Sequence, residues 1–244
     1  MNNQIIDDYS FNTAEKQTAA RQFFGKVYGF MFFALIVSGA IAYQYGTIEF
    51  INKYFITATP QGGAKLSALF YVVVFSPIGV ALLLQTMINR LSFPLLFGLF
   101  SIYSILIGFS LSTIFVVYSM TSIAVTFGVT AGTFGIMAIM GYVTKVDLTK
   151  MGSILYIAFI GIFISSIVNF FLKSEAFDYL ISIIGVVVFT GLTAYHMQQL
   201  KKYAHDSQIS ADDKNKLALL GGFTLYVLFV NLFLSLLRLF GGRD

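Results

Sequence analysis

Long uncharged runs separated by short polar stretches set the pattern of this chain. Runs of about 20 apolar residues, the length a helix needs to cross the hydrocarbon of a bilayer, fall at 27–45, 66–85, 152–172, 178–199 and 217–239. Between Arg90 and Lys145 no charged residue occurs. That interval is too long for one crossing and suits two, with a turn near STIFVVYSMTS dividing it into spans at 93–112 and 121–142. The pattern therefore predicts an all-α polytopic membrane protein of seven transmembrane helices. Residues 1–26 form an N-terminal segment, and 27–241 form one membrane domain.

Charge sets the orientation. Of the 15 Lys and Arg residues, ten fall on the side that holds the N-terminus, Arg90, Lys145 and the loop from Lys201 to Lys216, against five on the other. An excess of basic residues marks the cytoplasmic side. The N-terminus and that loop are thus expected in the cytoplasm, with the C-terminal GGRD opposite. Asp7, Asp8 and Glu15 precede any long apolar run, unlike the basic start of a cleaved signal peptide, so the first span is expected to direct insertion. In a bacterium this means the inner membrane; in a eukaryote, an endomembrane. With no Trp in the chain, interfacial anchoring falls to tyrosines such as Tyr43, Tyr54, Tyr142 and Tyr203.

Composition narrows the chemistry. Hydrophobic residues make up 57% and charged residues 11%, against about 25% charged in an ordinary soluble domain. The net charge of +4 is carried by loops and suits lipid head groups, with no basic stripe for nucleic acid. Without cysteine there is no disulfide, thiol or Cys/His zinc chemistry. The two histidines, His196 and His205, lack the HExxH spacing of a membrane metalloprotease. Ten of the 11 acidic residues fall outside the seven runs and Asp178 is the first residue of the sixth, which leaves no pair for an aspartyl dyad, and the seventh span has no lysine for a Schiff base. The HDSQISADDKNK loop lacks the ligand order of a calcium loop. A serine hydrolase would need one of the span serines presented to His196, yet serine in membrane helices usually serves as interhelical glue. The expectation is a protein with no enzymatic activity, cofactor or metal site.

Several span residues still invite a role. Gly128, Gly132 and Gly135 have the spacing that lets two helices approach closely, and Gly25 and Gly29 repeat it. Pro77 sits mid-span and removes a backbone hydrogen bond. The seventh span carries Gly221, Thr224, Leu228, Asn231, Ser235 and Arg238 along one face, which puts that face toward protein or a cavity. It reads either as a close-packing seam or as a wall with Thr224, Asn231 and Ser235 lining a cavity, joined by Thr193 of the sixth span. His196, five residues before Lys201, lies about 7 Å below the interface at 1.5 Å per residue. It reads either as a neutral histidine bonded to Thr193 or to backbone, or as a titratable gate beside the seventh helix, since imidazole changes charge near pH 6.5.

The stretches GYVTKVDLTKMGSILYIAFIGIFISSIVNFFL, TGLTAYHMQQLKK and LYVLFVNLFLSLLRLFG, with seven spans and a cytoplasmic start, resemble the Bax inhibitor-1 family. That family comprises the transmembrane Bax-inhibitor-motif proteins and their bacterial YccA-like members. The resemblance implies seven helices with the last one central, surrounded by the other six. It also implies a link to stress control, to calcium leak and, in bacteria, to restraint of a membrane-anchored AAA protease. The family's pH sensor pairs two aspartates, one in a TAYD-type and one in an LYLDF-type motif. Here those positions are His196 and Leu228. With both carboxylates replaced, calcium conduction by the family mechanism is expected to be weak, because a hard cation wants oxygen ligands.

Overall fold

A computed structural model of the chain describes the backbone of residues 2–59 and 63–242, and the side chains of those residues from Gln17 onward. Arg243 and Asp244, the last two residues of the GGRD terminus, lie outside it, as do the side chains of Asp7, Asp8 and Glu15.

Among the described residues, seven helices are long and apolar enough to cross a membrane. They are α1 (Asn2–Tyr45), α3 (Ala68–Thr86), α4 (Phe93–Leu111), α6 (Met120–Val143), α7 (Thr149–Leu172), α8 (Glu175–His205) and α9 (Ala211–Phe240). Two short helices, α2 (Ile48–Phe50) and α5 (Ile114–Val117), fill loops. The turn anticipated in the uncharged interval is there: α4 ends, α5 makes one turn, and Ser119 caps α6 by accepting from the Ser122 amide at 3.2 Å. The connection from α1 to α3 holds structure that the apolar pattern does not announce. A π-helical turn, Ile51–Phe55, leads there into an antiparallel hairpin of β1 (Ile56–Ala58) and β2 (Ala64–Leu66), with Thr57 opposite Lys65. The segment expected as a separate N-terminal stretch continues without a break into the first span, since α1 starts at Asn2.

Local chemistry explains where the last two spans begin and end. Ser210 accepts from the Asp213 amide at 3.1 Å, and Asp212 and Asp213 place negative charge in the first turn of α9, where the helix dipole favours it. Ser174 caps α8 in the same way through Phe177 N. Pro77 does not end α3. Its missing N–H leaves the Val73 carbonyl, four residues back, without its helical donor, and Ser110 Oγ of α4 donates to that carbonyl at 3.2 Å.

α9 is the centre. Of its most apolar stretch 67% is buried, against none of that of α7. Leu219, Leu225, Tyr226, Leu232 and Leu237 bury its opposite sides together, the mark of a helix enclosed all round. α1, α4, α6 and α8 pack on it directly, while α3 packs chiefly on α4, and α7 on α8.

The glycines that bring these helices together are not the ones expected. A Cβ at Gly128, Gly132 or Gly135 would meet nothing within 4 Å, and the same holds for Gly25 and Gly29. Gly128 and Gly132 face outward from the bundle. The close approaches lie elsewhere: Gly141 of α6 against the backbone of Ala194, Gly222 of α9 against Val27 O and Phe30 of α1, and Gly185 of α8 against Ser235.

Candidate functional site

His196 and Leu228 occupy different surroundings. α8 carries His196 at the edge of its buried face; Thr193, Met197 and Leu200 are buried, while the imidazole is half-buried. His196 Nε2 lies 2.7 Å from Tyr156 Oη of α7. The ring stands edge-on to Tyr156 and Tyr195, with centroids 5.6 and 5.3 Å away. The anticipated partner is engaged otherwise, for Thr193 is fully buried and its Oγ1 donates to Phe189 O at 2.7 Å. The side-chain hydrogen bond of His196 is thus made to the fifth span, not to the polar stripe of the seventh. Leu228 is 4% exposed and belongs to the apolar core. The approaches of Gly185 to Ser235 and of Gly221 to Leu200 fix the antiparallel register of α8 and α9, which sets His196 level with the half-buried Thr224 and the fully buried Leu225.

The stripe on α9 divides between two roles. Ser235 is buried against Gly185, and its Oγ donates to Asn231 O at 2.9 Å, so it packs and does not line a cavity. Thr193 likewise belongs to the packed interior, and Thr224 is half-buried. Asn231 does line a cavity, and its Nδ2 donates to Val227 O at 2.8 Å. Arg238 Nη1 lies 3.6 Å from Asp178 Oδ1, both side chains about one third exposed. That aspartate, the first residue of the run at 178–199, stands in the first turn of α8.

The cavity, about 330 Å³, lies beside α9 between it, α4 and α3. Along α9 it extends from Tyr226 past Asn231 to Arg238, and α4 contributes Tyr103 and Ser110. Ile107, Leu111, Val230 and Leu234 are among its apolar walls. Tyr226 is fully buried, with the Ser38 hydroxyl of α1 beside its own, and its ring meets Tyr103 edge-on at 6.1 Å between centroids. A larger groove of about 710 Å³ opens at the other end of the bundle, past Arg21, Tyr28, Tyr142 and His205.

The loop before α7 is fastened to α8. Gln198 accepts from Leu148 N at 2.9 Å and donates to Val146 O at 2.7 Å. Lys201 Nζ donates to Tyr142 O at 2.7 Å and sits 4.9 Å over the Tyr142 ring. In the same loop Asp147 accepts from the Thr149 hydroxyl and amide at 2.6 and 3.1 Å. Those bonds, with Lys202 beside it, hold its carboxyl below the usual carboxylate range.

The family model described as "Inhibitor of apoptosis-promoting Bax1" matches residues 20–244. The chain belongs to the Bax inhibitor-1 family. Its relatives include bacterial proteins. A protein of Borreliella burgdorferi is 40% identical over 95% of this chain and 97% of its own length. The Inner membrane protein YbhL of Escherichia coli is 39% identical over 96% of this chain and 97% of its own. A Rickettsia prowazekii protein, RP147, is 37% identical over 91% of this chain and 90% of its own. With seven apolar helices and an inner membrane relative, this Bax inhibitor-1 protein is an integral protein of the bacterial inner membrane. Within this fold, Tyr156, Tyr103, Tyr226 and Asp178 are the side chains that the sequence motifs did not single out.

Proposed function

We propose that the chain is a non-enzymatic regulator of the Bax inhibitor-1 type, acting in membrane stress or protein quality control through helix contacts with membrane partners such as a membrane-anchored AAA protease. The observation that carries this reading is the outward face of α6. Gly128 and Gly132, four residues apart, are exposed, and a Cβ added at either would meet nothing within 4 Å beyond its own helix. A small-residue face of this spacing lets a second helix approach closely. The missing carboxylate at both sensor positions, His196 and Leu228, weighs against the alternative, a pH-sensitive ion leak.

The test is photocrosslinking in native membranes from a probe placed on the α6 face at Ala131. The expected result is a discrete adduct with another membrane protein, lost in the Gly128→Leu, Gly132→Leu double variant while the protein stays folded. Purified protein in calcium-loaded vesicles is expected to release no calcium across pH 6 to 8. Robust release, with no adduct, would replace this reading with the leak.

A further inference from the structure

We propose that the groove between α1, α6 and α8 binds an acidic glycerophospholipid, with its phosphate on Arg21 and an acyl chain along the apolar wall beneath. The proposal does not depend on the helix contacts above.

The groove, of about 710 Å³, runs from a charged rim to an apolar end. Arg21 of α1 and His205 of α8 stand at the rim, on the side of the bundle that carries most of the Lys and Arg residues. Tyr28 of α1, Ala138 of α6 and Met197 of α8 line the deep end. From Arg21 to Tyr28 the helix descends about 10 Å at 1.5 Å per residue. No charge lies at that depth, for Tyr28 turns its hydroxyl onto the Met197 thioether, 3.7 Å away. A cationic rim over an apolar wall matches a molecule with an anionic head and a hydrocarbon body.

Gly25 lies between the two ends. It is exposed, and a Cβ built on it would meet nothing within 4 Å. Glycine inside a helix is a poorer helix former than alanine, and this one brings no other helix of the chain close. Its missing side chain is part of the open space of the groove.

Charge selects the head group. Among the described residues no carboxylate lines the groove and none pairs with Arg21. The residues three and four places from it along α1, Gln17, Thr18, Phe24 and Gly25, are uncharged. Lys201 holds its ammonium 4.9 Å over the ring of Tyr142, which lines the groove as well. A phosphate can take two parallel hydrogen bonds from a guanidinium. The ammonium of a zwitterionic lipid would meet only like charge there, so the head group that fits carries a net negative charge, as phosphatidylglycerol does.

The experiment uses the full chain, purified and delipidated in detergent. Calorimetric titrations are run with dioctanoylphosphatidylglycerol and its ethanolamine counterpart, with dioctanoylglycerol, which lacks the phosphate, and with glycerol 3-phosphate, which lacks the chains. Saturable binding of the phosphatidylglycerol is expected, with weaker binding of the ethanolamine lipid and none of the two fragments. Arg21→Gln lowers the affinity about ten-fold, the loss of a charged hydrogen bond. Gly25→Leu abolishes binding by filling the groove, yet its melting temperature stays level or rises, since leucine is the better helix former and its Cβ has room. Lys150→Gln, which removes an exposed cation outside the groove at the same end, leaves the affinity unchanged. Equal binding of the two phospholipids, no saturable binding, an affinity that either groove variant leaves unchanged, or a loss in Lys150→Gln as large as in Arg21→Gln overturns the proposal.

Discussion

Gly141 of α6 lies against the backbone of Ala194 of α8, so closely that an added side chain would meet the Ala194 carbonyl. Backbone atoms cannot swing aside as the end of a side chain can. Gly141→Ala is therefore expected to cost about 1 to 3 kcal/mol, the usual range for an overpacked contact. Gly132→Ala, where a Cβ meets nothing within 4 Å, should leave stability unchanged. Denaturation of both variants in detergent checks the contrast, and equal losses would contradict the assignment of the two faces.

The bond between Tyr156 and His196 joins α7 to α8. Tyr156→Phe should lower stability by about 1 kcal/mol, the net worth of one such bond. Because both partners serve a single interaction, the Tyr156→Phe, His196→Ala double variant should lose less than the sum of the single losses. A double-mutant cycle measured by chemical denaturation decides it; strict additivity would mean the two side chains act independently.

Asp147 carries the pH prediction. Its carboxyl is held below the ordinary value of 3.8, first by the Thr149 hydroxyl and amide and then by Lys202 and Lys150. A carboxyl with a lowered value in the folded protein stabilises it above that ordinary value and loses the contribution as pH falls through the lowered one. Melting temperature should thus drop on acidification below about pH 4, and Asp147→Asn should flatten that part of the profile by lowering the neutral plateau slightly while leaving the acid end where it was. An unchanged acid limb in the variant would show that other carboxylates set it.

Restoring the family's acids should not be equally tolerated at the two positions. His196 is half-buried beside two tyrosines, whereas Leu228 is 4% exposed within the apolar core. Leu228→Asp buries a carboxyl with no partner and is expected to cost several kcal/mol; His196→Asp should cost far less. Comparative yield and melting temperature in detergent test the order. If Leu228→Asp is as stable as the parent chain, the helix has room there that the packing does not show.

The seven spans were legible because an uncharged run of membrane length is rare in a chain that folds in water, and even the turn near residues 112–120 could be placed from length alone. The direction in which each helix faces was far less so. In a soluble helix polar residues mark the outside, but α6 is apolar all round, so nothing distinguished the outward Gly128 and Gly132 from the inward Gly141. Tyr156 reaches His196 across 40 positions of sequence, a pairing no local pattern carries. The stripe on α9 was half legible: Asn231 lines a cavity as its spacing suggested, while Ser235 fills space against Gly185. Ser110 became meaningful only once the Val73 carbonyl, freed by Pro77, was seen to need it.

The helix at the centre of the bundle is the seventh of the seven spans in chain order. During synthesis α1, α4, α6 and α8 all leave the ribosome before the surface they close around exists. Until α9 arrives, Val27, Phe100, Phe189 and Leu192, each nearly or fully buried in the finished protein, must be sheltered by lipid, by one another or by the insertion machinery. A chain stopped before Ala211 would hold six spans and no core, and membrane quality control would meet it as an unfinished protein, not as a slightly shorter one.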